Sequence, residues 1–458
     1  MKTQSALAVA AFAAALAAPA RGEFAFDLGA DLRIRQELMK NVPGLPGGGW
    51  LSQAKYGPFR NQVRFRPDVW FELKASSETM GKWRVFTKLT DEFRWNPEPK
   101  IDTTTFPSEV VLDNLFLEGK GVFDGILDLR IGRQNLYNYC GLDHIFVDGT
   151  PGDGSRTCYS DMAAFTLHFT EDSKLDLFAL YDTDDCDIRW GTERSRHTHL
   201  AGLGRGGDRD DWGYGAIWSS KLSDNLPYQI FAMEKGSTTF WDGDVRYGWT
   251  RRALLGAKIE PRIDEEWSLQ FEAMGQCGRD GDGRTLSGAF GYAAVKWKSA
   301  REGIRPFGSL GLMYMSGDDD VDGDTPPAGS SAWDPMWYRG ANDSEIFLYG
   351  SHYAVGWWSN MYHLKLAAGL DISRGHNFLA YTGPVFAAAQ DGLGGGDGMF
   401  KGLLSVLRYE FPILLADREK GERLEIFGHL YAEFFNPGDY YETSRPAWFL
   451  RWQVMFKF

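Results

Sequence analysis

The amino-acid sequence predicts an all-β protein, a transmembrane antiparallel β-barrel of about 18 strands. Three observations predict it: polar and apolar residues alternate with a period of two, connections alternate between short and long, and the C-terminal segment is strongly aromatic. The 458-residue chain is 43% hydrophobic and 15% aromatic, with 54 Gly. Its mean hydropathy of -0.35 is too low for a bundle of membrane helices. Its aromatic content is too high for a disordered chain.

The C-terminal segment, 446–458, shows the alternation most clearly. Trp448, Leu450 and four further apolar residues share one parity, whereas Arg451 and Lys457 lie on the other. Because successive strand residues face opposite sides of a sheet, one face is apolar and the other mostly polar. Outer-membrane barrel strands have this pattern, with apolar side chains towards lipid and polar ones towards the lumen. The terminal aromatic strand also resembles the signal that such barrels present to their assembly machinery.

The same period recurs along the chain and yields an even number of candidate strands, as is typical of single-chain bacterial barrels. They are predicted at 27–38, 60–75, 82–94, 109–120, 126–135, 161–170, 173–183, 211–221, 226–236, 251–260, 266–277, 286–298, 303–315, 361–373, 376–390, 399–412, 422–436 and 446–458. A lipid-facing Arg or Lys costs about 2–4 kcal/mol at mid-bilayer, so the many strand charges are expected to point inward. They favour a wide polar lumen over a small barrel packed with side chains.

The connections between these strands support the same architecture. Short ones such as 121–125 and 171–172 alternate with long ones such as 136–160 and 316–360. Outer-membrane barrels have short periplasmic turns and long extracellular loops. The segment 413–421 is then the longest periplasmic turn. A soluble sandwich or propeller gives no reason for this sorting.

The N-terminus has the features of a cleaved export signal. Lys2 precedes an apolar, Ala-rich stretch from Ala6 to Ala18, and Ala20 completes a small-residue cleavage site. The stretch has no polar face, which disfavours an amphipathic helix of the mature fold. We therefore expect a signal peptide at 1–22 and an outer-membrane β-barrel at 23–458, in contact with membrane lipid.

Parity places charged side chains from many strands on the inner face, and these are the candidate pore-lining residues. They are Arg33, Arg35, Arg64, Arg66, Arg84, Lys88, Arg130, Lys365, Arg408, Glu425, His429, Glu433 and Arg451. The chain has net charge -13, whereas this wall is nearly balanced or slightly basic, so the excess acid is expected in the loops. One interpretation is a conduit for anionic solutes such as carboxylated sugars, because guanidinium groups bind carboxylates in bidentate fashion. The other is that Arg and Asp or Glu pair across strands and only stiffen and hydrate the wall.

Asp-rich loops offer a weak metal site. Asp318, Asp320 and Asp322 open a D-x-D-x-D-G motif, but its twelfth position is Gly329 instead of the bidentate Glu of an EF-hand. An EF-hand is therefore disfavoured. Loosely bound calcium that rigidifies an outer loop and plain solvated turns remain the alternatives, and no other cofactor is expected.

Four cysteines occur, and export makes disulfides possible. Cys140 and Cys158 fall in one predicted outer loop and are the preferred pair, although sequence cannot choose among the three connectivities. Catalytic motifs of the G-x-S-x-G, H-E-x-x-H and P-loop types are absent from the sequence, so we expect no enzyme. We also expect a monomer without a nucleic-acid partner.

Four short motifs resemble the alginate-export family of outer-membrane barrels. They are Leu129-Arg-Ile-Gly-Arg-Gln134, Ser160-Asp-Met-Ala163, Trp333-Asp-Pro-Met-Trp-Tyr-Arg339 and Ser344-Glu-Ile-Phe-Leu-Tyr349. The resemblance covers essentially the whole mature chain at the level of architecture. It implies export or passive diffusion of an anionic polyuronate or related oligo- or polysaccharide through an Arg-rich pore.

Carried over residue by residue, the resemblance adds Gly132, Arg133 and Gln134 from the first motif, Arg339 from the third and Glu345 from the fourth. Strict alternation would face Arg133 to lipid, so it is expected above the bilayer or beside a bulge. The turn 413–421 is too short to block a wide pore, so gating is expected from an outer loop such as 316–360. A general, weakly selective porin and a structural or adhesive barrel with Asp-rich loops remain the alternatives.

Overall fold

The fold rests on the parts of the chain that a computed structural model places in defined positions. It describes residues 24–42, 59–77, 81–100, 103–107, 109–135, 139–146, 159–182, 189–191, 211–239, 248–281, 283–319, 331–337, 344–350, 359–373, 375–392, 394–417 and 422–458. The predicted signal peptide lies outside them and stays a prediction.

Antiparallel strands form nearly all of the described structure, in a single sheet. The strands are β1 Phe24–Lys40, β2 Phe59–Ser77, β3 Gly81–Asp91, β4 Phe93–Glu98, β5 Glu109–Gly121, β6 Leu127–Gln134, β7 Ser160–His168, β8 Lys174–Asp182, β9 Arg189–Gly191, β10 Asp211–Ser223, β11 Leu226–Thr239, β12 Gly248–Ile259, β13 Trp267–Arg279, β14 Thr285–Lys298, β15 Ile304–Met315, β16 Met361–Ile372, β17 His376–Phe386, β18 Phe400–Leu414, β19 Glu425–Pro437 and β20 Ala447–Lys457. Two short helices accompany them, α1 Val122–Gly125 and α2 Glu345–Gly350, with a 3₁₀ turn at Tyr139–Gly141.

The sheet closes into a barrel because its first and last strands pair. The β1–β20 ladder runs from Asp31 opposite Lys457 to Lys40 opposite Trp448. The 20 strand segments make an 18-strand wall. β4 continues β3 beyond Glu92 and pairs with the same neighbour, β2. Among the described residues, the short β9 pairs with the end of β5.

The strand pattern predicted from the sequence is confirmed. Each predicted range overlaps a strand of the barrel wall, and the two segments without a range of their own are β4 and β9. β4 belongs to the range 82–94, which the backbone interrupts at Glu92. β9 is too short for a two-residue period to be visible.

Side-chain exposure separates the two faces as the alternation predicts. In β20, Leu450 and Trp452 are 36% and 39% exposed, whereas Phe449 between β19 and β1 is fully buried. Leu255 and Leu366 are likewise among the most exposed apolar residues of their strands. An apolar outer band of this kind is what contact with lipid requires.

The inner face differs from the expected water-filled polar bore. On β8, β11, β14 and β18 it carries large apolar side chains, including Phe178, Phe231, Phe290 and Leu404, all buried. They are covered by loop segments that fold into the barrel and share one apolar core with the wall. Alternation alone could not reveal this, because the two-residue period of a strand does not show whether water or an inserted loop covers its inner face.

The strand connections sort to the two ends of the barrel. One end, the turn end, carries short links such as 169–173 and 224–225, whereas the loop end carries links such as 183–210 and 316–360. The link 280–284 is a tight turn at the loop end, closed by Asp280 N donating to Arg284 O at 3.0 Å, so the alternation of lengths is not strict.

Among the described residues, no helix is both long enough and apolar enough to span a membrane.

Candidate functional site

Five arginines gather on the inner face of three adjacent strands, β20, β1 and β2. We call Arg33, Arg35, Arg64, Arg66 and Arg451 the arginine cluster. The β1–β2 register sets Arg33 directly opposite Arg66, and Arg35 directly opposite Arg64. Like charges that face each other across a ladder destabilise a sheet. The cluster therefore needs counter-charges nearby, although each side chain is at most 8% exposed.

Carboxylates supply those counter-charges. Arg64 donates from Nε to Glu92 at 2.8 Å and from NH1 to Glu37 at 3.3 Å. Arg33 donates to the same Glu92 at 2.9 Å. With Lys88 included, six cationic groups face five carboxylates, namely Glu37, Asp68, Glu92, Asp113 and Glu345. The site is thus nearly balanced in charge, and buried charges of this density require such pairing.

A second basic band lies nearer the turn end and is open to solvent. Arg84, Lys88 and Arg130 have side chains 32%, 20% and 36% exposed. Arg84 and Arg130 share Glu118, and both guanidinium groups lie over the ring of Phe116, at 5.2 and 4.9 Å from its centroid. A solute that entered from the turn end would meet this band before the arginine cluster.

Arg133 and Gln134 lie at the loop end of β6 and do not reach the cluster. Arg133 is 5% exposed and forms a bidentate pair with Asp161, at 3.0 and 3.1 Å. Gly132 has φ +125, a conformation that residues with a Cβ rarely adopt, and Arg133 next to it lies directly opposite its partner Asp161 in the β6–β7 register. Gln134 donates to the carbonyl of Met162 at 3.1 Å, so it holds β6 to β7.

Other sequence-predicted residues are spread over β16 to β19. Lys365 lies over the ring of Tyr381 at 5.2 Å. Arg408 and His429 both contact Glu410, at 3.8 and 3.4 Å. Glu425 lies opposite Lys457 at the turn end. These residues are part of the inner wall but not of the arginine cluster.

Three loop segments, 139–146, 331–337 and 344–350, lie inside the barrel, and we call them the inserted segments. The first two are joined by a parallel bridge between Phe146 and Trp337, whose rings stack at 5.5 Å and 4°. Leu142, Trp337 and Ile346 are all fully buried. Such burial indicates docking against the wall instead of a solvated loop.

Polar contacts fix the first two inserted segments to β11, β12 and β13. Lys258 donates to the carbonyl of Gly141 at 2.7 Å, and His144 Nδ1 lies 2.8 Å from Glu272. Gln276 exchanges two hydrogen bonds with the backbone of Asp334, at 2.7 and 3.0 Å. These wall residues anchor loops, a role that the sequence did not reveal for them.

The third inserted segment carries α2, which docks on β19 and β20. Glu433 accepts hydrogen bonds from the backbone N–H groups of Glu345 and Ile346, at 2.9 and 3.1 Å, and from the hydroxyl of Ser344. A carboxylate at this position caps the helix N-terminus and complements its dipole. Arg451 NH1 donates to Glu345 Oε1 at 2.6 Å, so α2 reaches the arginine cluster itself.

The docking of α2 is expected to depend on pH. Burial raises the pKa of Glu345 from its ordinary 4.5 to about 7, against the attraction of Arg451 and Arg35 and together with repulsion from Glu37. A carboxyl pKa that is higher in the docked state makes docking most stable below about pH 4.5 and weakens it as pH rises through about 7. The protection of the Ile346 amide, which is its hydrogen-exchange rate relative to the intrinsic rate at the same pH, should therefore be greater at pH 5 than at pH 8.

The control for this pH dependence is Glu345→Gln, which keeps the shape and removes the titrating group. Glu433 also faces the helix, so the variant should reduce the pH dependence without abolishing it. Equal protection of the Ile346 amide at both pH values in the unmodified protein would contradict the expectation.

Some sequence predictions fall outside the described residues, namely those for Arg339, Cys158, Asp320 and Asp322. Cys140 has a free thiol in the structure; its predicted bridge to Cys158 stays a prediction. Asp318 accepts a hydrogen bond from the Ser331 backbone at 2.9 Å. Within the described residues no group of acidic, His or Cys side chains could hold a metal ion. Loosely bound calcium in the outer loops stays a prediction.

Four of the five cluster carboxylates, Glu37, Asp68, Glu92 and Asp113, were not among the predicted site residues. Glu37 shares the parity of Arg33 and Arg35, so the alternation could have found it. Asp113 lies beside a register shift between β3 and β5, at Lys88 and Leu89. A shift of this kind reverses the parity along β5, so alternation could not place Asp113.

A closed 18-strand barrel with an apolar outer band and a charged, loop-constricted interior is an outer-membrane channel of the porin type. The family model described as Alginate export matches residues 60–382. The chain belongs to this alginate export family. No curated protein matches the chain in sequence.

Solved outer-membrane protein structures share the fold. OccAB2 from Acinetobacter baumannii is 11% identical, covers 94% of this chain and 98% of its own, and has a TM-score of 0.54. OccK5 (OpdH) from Pseudomonas aeruginosa is also 11% identical with the same coverage, at a TM-score of 0.51. OccK7 (OpdD) from the same organism is 12% identical, covers 94% and 98%, and has a TM-score of 0.51. At these identities the likeness concerns the barrel alone.

Proposed function

We propose that this channel conducts anionic saccharides of the polyuronate type, with the arginine cluster as the constricted part of their path. A polyuronate carries one carboxylate on each sugar. Guanidinium groups recognise carboxylates through two parallel hydrogen bonds, which ammonium groups do not offer. The membership in the alginate export family supports this substrate class.

The register of β1 and β2 is the observation that carries the proposal. A wall built only for stability would set Arg opposite Glu or Asp, because opposite charges attract across a ladder and like charges repel. Here Arg33 faces Arg66 and Arg35 faces Arg64. Buried charge pairs are often neutral or destabilising compared with apolar packing. We therefore attribute the arrangement to the solute that the channel conducts.

A weakly selective porin is the second candidate, and one observation favours it. Each arginine of the cluster lies within 4 Å of a carboxylate, so the fixed charge is almost cancelled. A nearly neutral wall would discriminate little between neutral and anionic solutes of equal size.

Reversal potentials in planar bilayers separate the two candidates. Under a salt gradient we expect anion preference in the unmodified protein. Arg35→Gln and Arg64→Gln should each shift the reversal potential towards that of a non-selective pore, because the counter-carboxylates remain while a cation is removed.

The matched control is Arg423→Gln, an exposed arginine in the turn before β19. It should leave the reversal potential unchanged. Heat-dependent mobility in detergent gels shows whether each variant still forms a closed barrel. Equal cation and anion permeability in the unmodified protein would favour the weakly selective porin and contradict the proposal.

A further inference from the structure

The carboxylate of Glu345 occupies an unusual position, because it belongs to a loop helix yet lies at the edge of the arginine cluster. Its side chain is 2% exposed, and the Arg451 side chain is 8% exposed. The groups that face it are Arg451 from β20, Glu433 and Tyr431 from β19, and Arg35 and Glu37 from β1.

Glu345 and Arg451 form one hydrogen bond, although a carboxylate and a guanidinium can form two in parallel. Oε1 accepts one hydrogen bond from NH1 at 2.6 Å. Within the described part of the chain, Oε2 of Glu345 and Nε of Arg451 have no hydrogen-bond partner. Arginine and carboxylate bind best through two parallel hydrogen bonds. The backbone that carries Glu345 is itself held by Glu433, through the hydrogen bonds from the N–H groups of Glu345 and Ile346.

The guanidinium of Arg451 is set in place without help from Glu345. It lies over the rings of Tyr431 and Phe449, at 5.0 and 5.7 Å from their centroids. Glu37 lies 3.8 Å from NH1 on the side of β1. A carboxylate delivered by a free molecule could therefore meet a preformed cation with a flat aromatic surface beside it.

We infer that the position of the Glu345 carboxylate is a carboxylate-binding subsite for a sugar acid, and that Glu345 is an internal competitor for it. The inference rests on the proposed function, because it needs an anionic saccharide inside the barrel. A uronate carboxylate binds two nitrogens of the Arg451 guanidinium through two parallel hydrogen bonds. It thereby displaces Glu345 and releases α2 from the wall. The channel then opens in response to the solute that it conducts.

Release follows from the weak intrinsic stability of α2. A helix of six residues is far below the length at which an isolated helix is stable in water. It depends on its anchors: the Glu433 cap, the Arg451 contact, and the edge-to-face packing of Phe347 on Phe435 at 5.1 Å. Loss of the hydrogen bond to Arg451 removes one of these three anchors.

Glucose efflux from proteoliposomes that contain the full chain tests the inference. The probe is sodium glucuronate, compared with sodium chloride at equal ionic strength. We expect glucuronate to accelerate glucose efflux and to accelerate amide exchange at Ile346 and Phe347. Equal efflux in glucuronate and in chloride would overturn the inference, and this comparison needs no variant.

Glu345→Ala should behave as if glucuronate were always present. Loss of one charge-assisted hydrogen bond predicts glucose efflux about tenfold faster or more without glucuronate, and no further rise when it is added. Glu265→Gln, an exposed carboxylate in the turn between β12 and β13, is the matched control and should resemble the unmodified protein. Efflux from Glu345→Ala that equals the unmodified rate would contradict the competitor role.

The reversal potential keeps this inference separate from the proposed function. Anion preference with efflux that ignores glucuronate refutes the competitor and leaves the anion path intact. A non-selective channel refutes the anion path, whatever the efflux shows.

Discussion

Replacing Trp337 with alanine is expected to raise the single-channel conductance strongly, because it removes the central contact that holds two inserted segments in the barrel. The side chain is fully buried. It stacks on Phe146 at 5.5 Å and meets the edge of Phe178 at 5.7 Å. Truncating a buried Trp to Ala costs about 3–5 kcal/mol, a large loss for a short loop segment.

The same contact can be disturbed from the wall. A Cβ on Gly213 would lie 2.2 Å from the Trp337 ring, so Gly213→Ala should also expel the indole. Trp95→Ala is the control, since Trp95 is 57% exposed and lies on β4, opposite Val63 of β2. Conductance in planar bilayers and tryptophan fluorescence report the two effects. Unchanged conductance in both Trp337→Ala and Gly213→Ala would show that these segments do not restrict the path.

The wall of the barrel was predictable because lipid on one side imposes a strict two-residue period. In β20 the alternation of Trp448, Leu450 and Trp452 with Phe449 and Arg451 is visible without any structure. The interior was only partly predictable. Inward Phe178 and Phe231 look like any other apolar strand residue, and only the folded loops show what covers them.

The arginine cluster was also predictable in its strand residues but not in its contact with an inserted loop. Parity placed Arg33, Arg35 and Arg64 on one face, and closure of the barrel explains their proximity to Arg451. The contact of Arg451 with Glu345 joins residues 106 positions apart through a loop that enters the barrel. No local pattern encodes the depth to which a loop inserts. The shared motif indicated Glu345 as a site residue but gave no partner for it.

Replacing Glu37 with glutamine is expected to destabilise the barrel and to increase its anion preference together. Glu37 is fully buried and contacts Arg35 and Arg64, each at 3.3 Å, and Arg451 at 3.8 Å. Breaking a buried ion pair by removing one partner costs about 3–5 kcal/mol, because the remaining charges lose their compensation. The change also removes one of the carboxylates that nearly cancel the charge of the cluster, so an anion passing it meets a stronger attraction.

Two measurements on Glu37→Gln test this prediction together, one of stability and one of selectivity. The temperature at which the barrel unfolds in detergent should fall, whereas the reversal potential should move further in the anion-selective direction, opposite to Arg35→Gln. Glu410→Gln is the control, since that carboxylate is 46% exposed on the inner wall and its removal leaves no buried charge uncompensated. A fall in stability without a change in selectivity would mean that the cluster is a structural element away from the path. A change in selectivity without a fall in stability would mean that water reaches the cluster and solvates its arginines.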